Sequence, residues 1–181
     1  MNRYTLSAVW MITRPTIFLT RVPGKMTWEL YGDKPHVYIS FDDGPHPEVT
    51  PWVLERLKEF GALATFFCLG QHVEKYPEVY HRILDEGHAV GNHSFTHHKG
   101  FRKSIKSYVE DVEQAAQLIE SKLFRPPFGH ILPGQAKALQ KQYNIVMWDV
   151  MTRDFDTNLT GEQVISHVTG KVRQGSILLF H

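Results

Sequence analysis

Short apolar runs rich in β-branched and aromatic residues alternate along this chain with amphipathic segments of helical period. This alternation restricts the fold more than any other feature, because parallel strands need crossover connections long enough to hold a helix. The strand-like runs are residues 36–41, 64–69, 88–92, 124–129, 145–150 and 176–180. Helical patterns are predicted at residues 51–60, 77–86, 105–123, 135–143 and 162–172. We therefore expect one α/β domain with six parallel strands.

Polar side chains stand at the carboxyl ends of these predicted strands. They are Asp42, Asp43, His93, Arg125, Asp149 and His181. In parallel α/β barrels, functional sites are built at that end of the strands. These six polar side chains can converge on one opening, the mouth of a barrel, only if the sheet curls. We therefore predict a distorted, incomplete (β/α) barrel rather than a doubly wound sheet, with the site at the carboxyl ends of its strands.

Two of the 11 histidines have the spacing of metal ligands. His93 and His97 lie four residues apart, which would place both imidazoles on one face of a helical turn. One carboxylate from the pair Asp42 and Asp43 would complete a two-histidine, one-carboxylate site with open positions for water. Two adjacent carboxylates also repel each other, so a cationic group must offset them. His98 would point away from such a site, toward solvent.

Composition excludes several other classes of protein. Lys and Arg number 20 against 19 for Asp and Glu, so there is no basic excess for a nucleic-acid partner. The single cysteine, Cys68, allows no disulfide within the chain and is expected to be buried on a strand. The apolar stretches at residues 8–12 and 16–20 are too short for a transmembrane helix or a signal peptide. Both a cytoplasmic and a cell-envelope location stay open.

Four motifs, in order, resemble those of the polysaccharide deacetylases, the NodB-homology family or carbohydrate esterase family 4. They are VYISFDDGP at residues 37–45, GNHSFTH at 91–97, RPPFG at 125–129 and LFH at 179–181. The similarity runs from about residue 36 to the end of the chain, and the family fold is a distorted, incomplete (β/α) barrel. We expect a deacetylase domain at residues 35–181 and a cap segment at residues 1–34. In that segment Trp10, Trp28 and Tyr31 would close the barrel or contact glycan.

The resemblance implies a divalent metal, usually zinc, with cobalt or nickel also accepted. Its ligands would be Asp43, His93 and His97. Asp42 would be the general base that activates a metal-bound water, and His181 would be the general acid that protonates the leaving amine. Arg125 would pair with Asp42 and keep it ionised.

The resemblance also implies a substrate pocket. The backbone N–H of Phe128, where the family usually has tyrosine, would help to hold the oxyanion. Trp148 or Phe155 would supply an apolar wall for the acetyl methyl group, and Leu179 would line the same pocket. At the fourth motif this chain departs further from the family pattern than at the third, because Met151 stands where an aspartate is usual and Phe155 where a tryptophan is usual. Asp154 or Asp149 could then support His181, and the sequence leaves this choice open.

The implied reaction is removal of N-acetyl groups from N-acetylglucosamine units of a polysaccharide such as peptidoglycan or a chitin-like oligomer. This is a hydrolysis of carbon–nitrogen bonds in linear amides. Two alternatives remain, an O-acetyl esterase on xylan-like glycans and a carbohydrate-binding pseudoenzyme. The altered fourth motif and the terminal position of His181 motivate the second. We expect the native chain to continue past His181, and no prediction is made for the oligomeric state.

Overall fold

The computed structural model of the chain describes residues 26–32 and 35–181. The strands are β1 Met26–Thr27, β2 Tyr38–Asp42, β3 Ala64–Cys68, β4 Ala89–Asn92, β5 Leu123–Phe124, β6 Asn144–Val146, β7 Val150–Met151 and β8 Ile177–Phe180. The helices are α1 Val49–Glu59, α2 Gly70–Lys75, α3 Pro77–Asp85, α4 Ile105–Ala116, α5 Pro133–Leu139 and α6 Gly161–Thr169. Trp10 and the apolar stretches at residues 8–12 and 16–20 lie outside the described residues.

All neighbouring strands of the sheet are parallel, in the order β1-β6-β5-β4-β3-β2-β8-β7. The segment that follows β1 reaches across to the other side of the sheet. Thr27 on β1 pairs with Val146 on β6, and the Leu30 N–H donates to the carbonyl of Gly175, just before the amino end of β8, at 2.9 Å. The sheet is therefore a curled, incomplete barrel, which confirms the predicted fold class. Trp28 packs into the core and Tyr31 is largely exposed, while the predicted boundary at residue 34 stays a prediction.

The strand register places the carboxyl ends of four neighbouring strands at nearly the same height along the sheet. Asp42 on β2 is aligned with Phe67 on β3, and Cys68 on β3 with Asn92 on β4. On the other side of β2, Phe41 is aligned with Phe180 on β8. The loops that leave β2, β4 and β8 consequently start at nearly the same height, which is what places their polar residues at one mouth.

The prediction of six strands was wrong at residues 145–150. The chain leaves β6 after Val146 and crosses the open side of the barrel before it joins β8 as β7. During the crossing, the Met147 carbonyl accepts from Arg125 and the Asp149 N–H donates to the Ile177 carbonyl. An apolar run cannot reveal such a change of partner strand, because both halves are buried. Asp149 therefore lies beside the amino end of β8, away from the mouth.

Helices cover the outer face of the sheet and bury two apolar clusters. One cluster lies between β3, β4 and the helices α1, α2 and α3, with Leu54, Phe66 and Ile83 at its centre. The other joins α4 and α5 to β5 and β6. Helix α4 ends at Ala116, earlier than the predicted residue 123, and the turn that follows sends Ile119 into the core. Among the described helices, none combines the length and apolarity needed to cross a bilayer.

Candidate active site

Asp42 and Asp43 form the start of the loop that leaves β2. Asp42 ends the strand on the same face as Ser40, and both side chains meet the guanidinium of Arg125. Asp43 has a left-handed backbone conformation, with φ of 69°, and this turns its side chain to the mouth as well. The carboxylate of Asp42 is buried and that of Asp43 is 40% exposed. The two adjacent carboxylates thus face one mouth.

His93 and His97 lie in a loop after β4, so the predicted helical turn is wrong. Ser94 and His97 have φ values of 68° and 59°, which a right-handed helix does not allow. The Ser94 N–H donates to the Asn92 side chain, and the His97 N–H donates to the Ser94 hydroxyl. These local bonds replace helical hydrogen bonds and still bring the two imidazoles within 5.2 Å, centroid to centroid.

Asp111 on α4 stabilises the loop that carries His93 and His97, which we call the histidine loop. Its carboxylate accepts the backbone N–H groups of Phe95 and Thr96, at 3.1 and 3.2 Å. It also accepts the Thr96 hydroxyl at 2.6 Å. Sequence reasoning missed this residue, because nothing in an amphipathic helix marks one of its acidic side chains as a partner of a loop 15 residues away.

Three potential metal-ligating atoms converge at the mouth. Asp43 Oδ1 lies 3.3 Å from His93 Nε2 and 3.0 Å from His97 Nε2, and all three atoms are within 4.8 Å of one another. His93 Nδ1 lies 2.7 Å from the Arg125 carbonyl, so this nitrogen carries the proton and Nε2 directs a lone pair at Asp43.

This set of donors fits a divalent cation. Asp43 Oδ1 is buried without a hydrogen-bond partner, and the His93 lone pair facing it would repel it unless a cation lies between them. Two imidazole nitrogens with one ionised carboxylate are ligands that zinc accepts while leaving positions open.

Arg125 lies fully buried under the mouth and fixes Asp42. Its Nη1 donates to Asp42 Oδ1 at 2.7 Å and to the Ser40 hydroxyl at 2.8 Å. Its other nitrogens donate to the carbonyls of Val146 and Met147. Burial lowers the pKa of the guanidinium and Asp42 opposes that effect, so the group stays charged at ordinary pH. Asp42 Oδ2 is left facing His93 Nε2, at 3.7 Å.

His181 follows β8 and is held by Asp154, which decides between the two candidate aspartates. The backbone N–H of His181 donates to Asp154 Oδ2 at 2.7 Å, and its Nδ1 lies 3.3 Å from Asp154 Oδ1. Asp149 instead accepts the hydroxyl of Ser176 at 2.5 Å, at the other end of β8. Burial disfavours the charged imidazole, but Asp154 offsets this and raises the pKa of His181 above its ordinary value. The same contact lowers the pKa of Asp154.

Replacing Asp154 with asparagine is expected to lower the pKa of His181, because the opposing charge is removed while burial remains. If His181 must be protonated to act, kcat/KM falls as pH rises through that pKa. The falling limb of the pH profile should therefore move to lower pH, and kcat/KM at its optimum should drop about tenfold. Asp156→Asn, two residues away and paired with Arg153, is the matched control. An unchanged limb in Asp154→Asn would contradict the assigned coupling.

An apolar cavity of about 430 Å³ opens over these groups. Its walls include the four predicted substrate-contacting residues, Phe128, Trp148, Phe155 and Leu179. Phe155 packs edge-on against the His181 ring, with centroids 4.9 Å apart. Phe128 has a φ of 57°, and its ring lies against His97 with centroids 4.4 Å apart. A Cβ on Gly129 would lie 2.6 Å from Trp148, so only glycine allows this wall to close.

The cavity also has wall residues that sequence reasoning did not select, namely Lys99, Gly129, His130 and Met151. Met151 stands at the variant position of the fourth motif, so an apolar side chain faces the cavity where the family usually has a carboxylate. His98, beside the ligand-like His97, is exposed as expected.

Comparison with known proteins identifies sequences similar to most of this chain. The profile of the polysaccharide deacetylase family matches residues 30–148. A peptidoglycan-N-acetylglucosamine deacetylase of Bacillus cereus is 35% identical over 156 residues, which cover 82% of this chain and 56% of that protein. A chitooligosaccharide deacetylase of Azorhizobium caulinodans is 35% identical over 153 residues, covering 80% of this chain and 72% of that protein. This chain thus spans little more than half of the first relative.

Solved structures are similar over the same region. The crystal structure of a peptidoglycan N-acetylglucosamine deacetylase has a TM-score of 0.79 and 33% identity, over 87% of this chain and 76% of that one. A carbohydrate esterase family 4 pseudoenzyme from Bacillus anthracis has a TM-score of 0.75 and 27% identity, over 85% of this chain and 57% of that one. The fold is therefore shared by active and inactive proteins, and function has to be argued from the site.

Proposed function

Because this chain belongs to the polysaccharide deacetylase family, we propose that it is a metal-dependent hydrolase that removes N-acetyl groups from a glycan. One observation carries the proposal. A single cavity is lined by a candidate base, Asp42, by the metal-ligating set, and by a candidate acid, His181. Hydrolysis of an amide needs these three functions around one acetyl group.

Asp43, His93 and His97 would hold the metal. When bound there, a divalent cation polarises the acetyl carbonyl and makes a neighbouring water more acidic. The protonated Nδ1 of His93 is anchored on the Arg125 carbonyl at 2.7 Å, which keeps Nε2 available as a ligand. The family as a whole supports metal dependence, and zinc is the ion that this donor set suits best.

Asp42 would take the proton of the attacking water, and His181 would give a proton to the leaving amine. Arg125 occupies one oxygen of Asp42, so the other oxygen, Oδ2, faces the metal site as an acceptor. Asp154 raises the pKa of His181, which favours the imidazolium that donates this proton. One group would thus accept a proton and the other would donate one, as acid–base catalysis requires.

The remaining contacts would orient the acetyl group. Among the described residues the Phe128 N–H has no backbone hydrogen-bond partner, which leaves it available to the developing oxyanion. Leu179 and Trp148 would face the acetyl methyl group. We propose N-acetylglucosamine units of peptidoglycan or chitin-type oligomers as the substrate, since these are named for the similar enzymes. A peptidoglycan substrate would place the protein in the cell envelope.

Acetate release tests this function directly. The protein loaded with Zn²⁺ or Co²⁺ is expected to release acetate from chitin oligomers or from peptidoglycan fragments, and chelation should abolish the release reversibly. Failure to release acetate from either glycan at any metal loading, together with measurable glycan binding, would favour the pseudoenzyme alternative. Faster release from acetylated xylan than from both N-acetylated glycans would favour the O-acetyl esterase alternative.

Metal binding has its own expected outcome, which does not depend on activity. A metal that binds only the folded protein stabilises it by about 2.7 kcal/mol at 100 times its Kd. The melting temperature should therefore rise on adding Zn²⁺ to chelator-treated protein, and this rise should disappear in His97→Ala. His98→Ala removes an exposed neighbouring histidine and should keep the full rise. An equal rise in both variants would exclude His97 as a ligand.

A further inference from the structure

Lys99 is the one cation on the cavity wall, within the described residues, that no element of the proposed reaction uses. Its side chain is half-buried, and its Nζ lies 4.6 Å from the centroid of the Phe128 ring. Phe128 in turn packs against His97, so the ammonium group is held on the metal side of the mouth. A flexible lysine side chain is thus placed over an aromatic ring beside the position expected for the scissile acetamide.

The charges around the cavity are otherwise matched in pairs. Asp42 is paired with Arg125, and Asp154 is paired with His181. Asp43 faces the two imidazoles and the proposed cation. In the described part of the chain, no carboxylate lies within ion-pair distance of Lys99. Among the described residues Lys99 therefore has no carboxylate counterion, and an anionic substrate would supply one.

A second basic side chain, His130, lines the same wall as Lys99. His130 also lines the cavity, and burial followed by the Lys99 charge holds the pKa of its imidazole below the ordinary value. Burial and the charge on Lys99 thus both disfavour a second positive charge at His130. Within the described residues, Lys99 is the cationic side chain on this side of the cavity.

We propose that Lys99 selects anionic glycans, with a carboxylate on or next to the N-acetylated sugar, over neutral chitin-type oligomers. This inference rests on the proposed deacetylase function and narrows its substrate class. In an amino sugar the acetamide at C2 is adjacent to the substituent at C3, so an acidic ether at C3 enters the same mouth as the acetyl group. The ammonium group would then make a charge-assisted hydrogen bond that a neutral oligomer lacks.

The test compares two defined substrates of equal length. One is neutral, N-acetylchitotetraose, and the other is a peptidoglycan-derived tetrasaccharide with O-lactyl carboxylates. The wild-type ratio of kcat/KM, anionic over neutral, should exceed one and fall with added salt. Lys99→Met keeps most of the apolar stem and should lower that ratio about tenfold. Lys99→Arg keeps the charge and should retain most of the preference.

A matched control is Lys106→Met, which removes the same charge from an exposed site on α4 paired with Glu110. It should leave the ratio unchanged. An equal loss on both substrates in Lys99→Met would show that Lys99 only supports the Phe128 wall, and an unchanged ratio would also overturn the proposal.

Equilibrium binding separates this inference from the proposed function. If the wild-type protein releases no acetate from either glycan, the deacetylase function fails. Calorimetric titration with the same two tetrasaccharides still tests Lys99. Weaker binding of the anionic tetrasaccharide alone in Lys99→Met would support the selection, and equal effects on both would contradict it.

Discussion

Replacing Asp42 with asparagine is expected to reduce acetate release by at least about a hundredfold, because positioned acid–base groups commonly contribute that much to the rate. The substitution keeps the size of the side chain and its ability to accept from Arg125. It removes the basic oxygen, Oδ2, that faces the metal site. Acetate release from N-acetylchitotetraose by metal-loaded protein measures the effect.

The neighbouring carboxylate provides the contrasting variant. Asp43→Asn is expected to lose metal, measured as bound zinc per chain after gel filtration, because Asp43 Oδ1 is the carboxylate atom nearest both imidazoles. Asp42→Asn is expected to retain metal. Acetate release at the wild-type rate in Asp42→Asn would refute its assignment as the base. Loss of metal in that variant would instead make Asp42 a ligand.

Arg125→Met should be the most destabilising single substitution in this site. The side chain is fully buried, and its loss leaves the Asp42 carboxylate in the barrel without its cation. It also removes the donors to the Ser40 hydroxyl and to two backbone carbonyls. Removing one partner of a buried ion pair costs about 3–5 kcal/mol. For a domain of this size, that corresponds to a loss of roughly 10 °C in melting temperature.

Two further variants show whether this cost comes from the unpaired charge. The double variant Asp42→Asn with Arg125→Met removes both charges and should recover part of the lost stability. Arg56→Met breaks an ion pair with Glu59 that is about half exposed, and should change the free energy of unfolding by about 0.5 kcal/mol or less. Equal melting temperatures for Arg125→Met and Arg56→Met would contradict the structural account of Arg125.

The histidine loop illustrates how far spacing alone can predict a site. The interval between His93 and His97 correctly indicated two converging imidazoles, but the reason was wrong. Their convergence depends on left-handed backbone at Ser94 and His97 and on bonds from Asp111. Residues in a loop take their conformation from such partners, and a sequence pattern does not show which distant side chain supplies them.

The run at residues 145–150 and the partner of His181 were not predictable for a related reason. Both β6 and β7 are short and lie next to buried residues, so the hydrophobic pattern is continuous although the chain changes edges of the sheet. Asp149 and Asp154 are equally acidic in sequence. Only the pairing of β7 with β8 puts Asp154 beside His181 and Asp149 at the far end.

Local chemistry in the sequence determined the class of fold and the inventory of the candidate site. Alternating strand and helix periods require parallel strands, and parallel strands bring their polar carboxyl ends to one edge. The tertiary structure alone decided which of those groups meet. It pairs Arg125 with Asp42 and Asp154 with His181, and leaves Lys99 without a carboxylate among the described residues. Such pairings join residues as far as 83 positions apart, and their energies depend on distance and burial that only the folded chain creates.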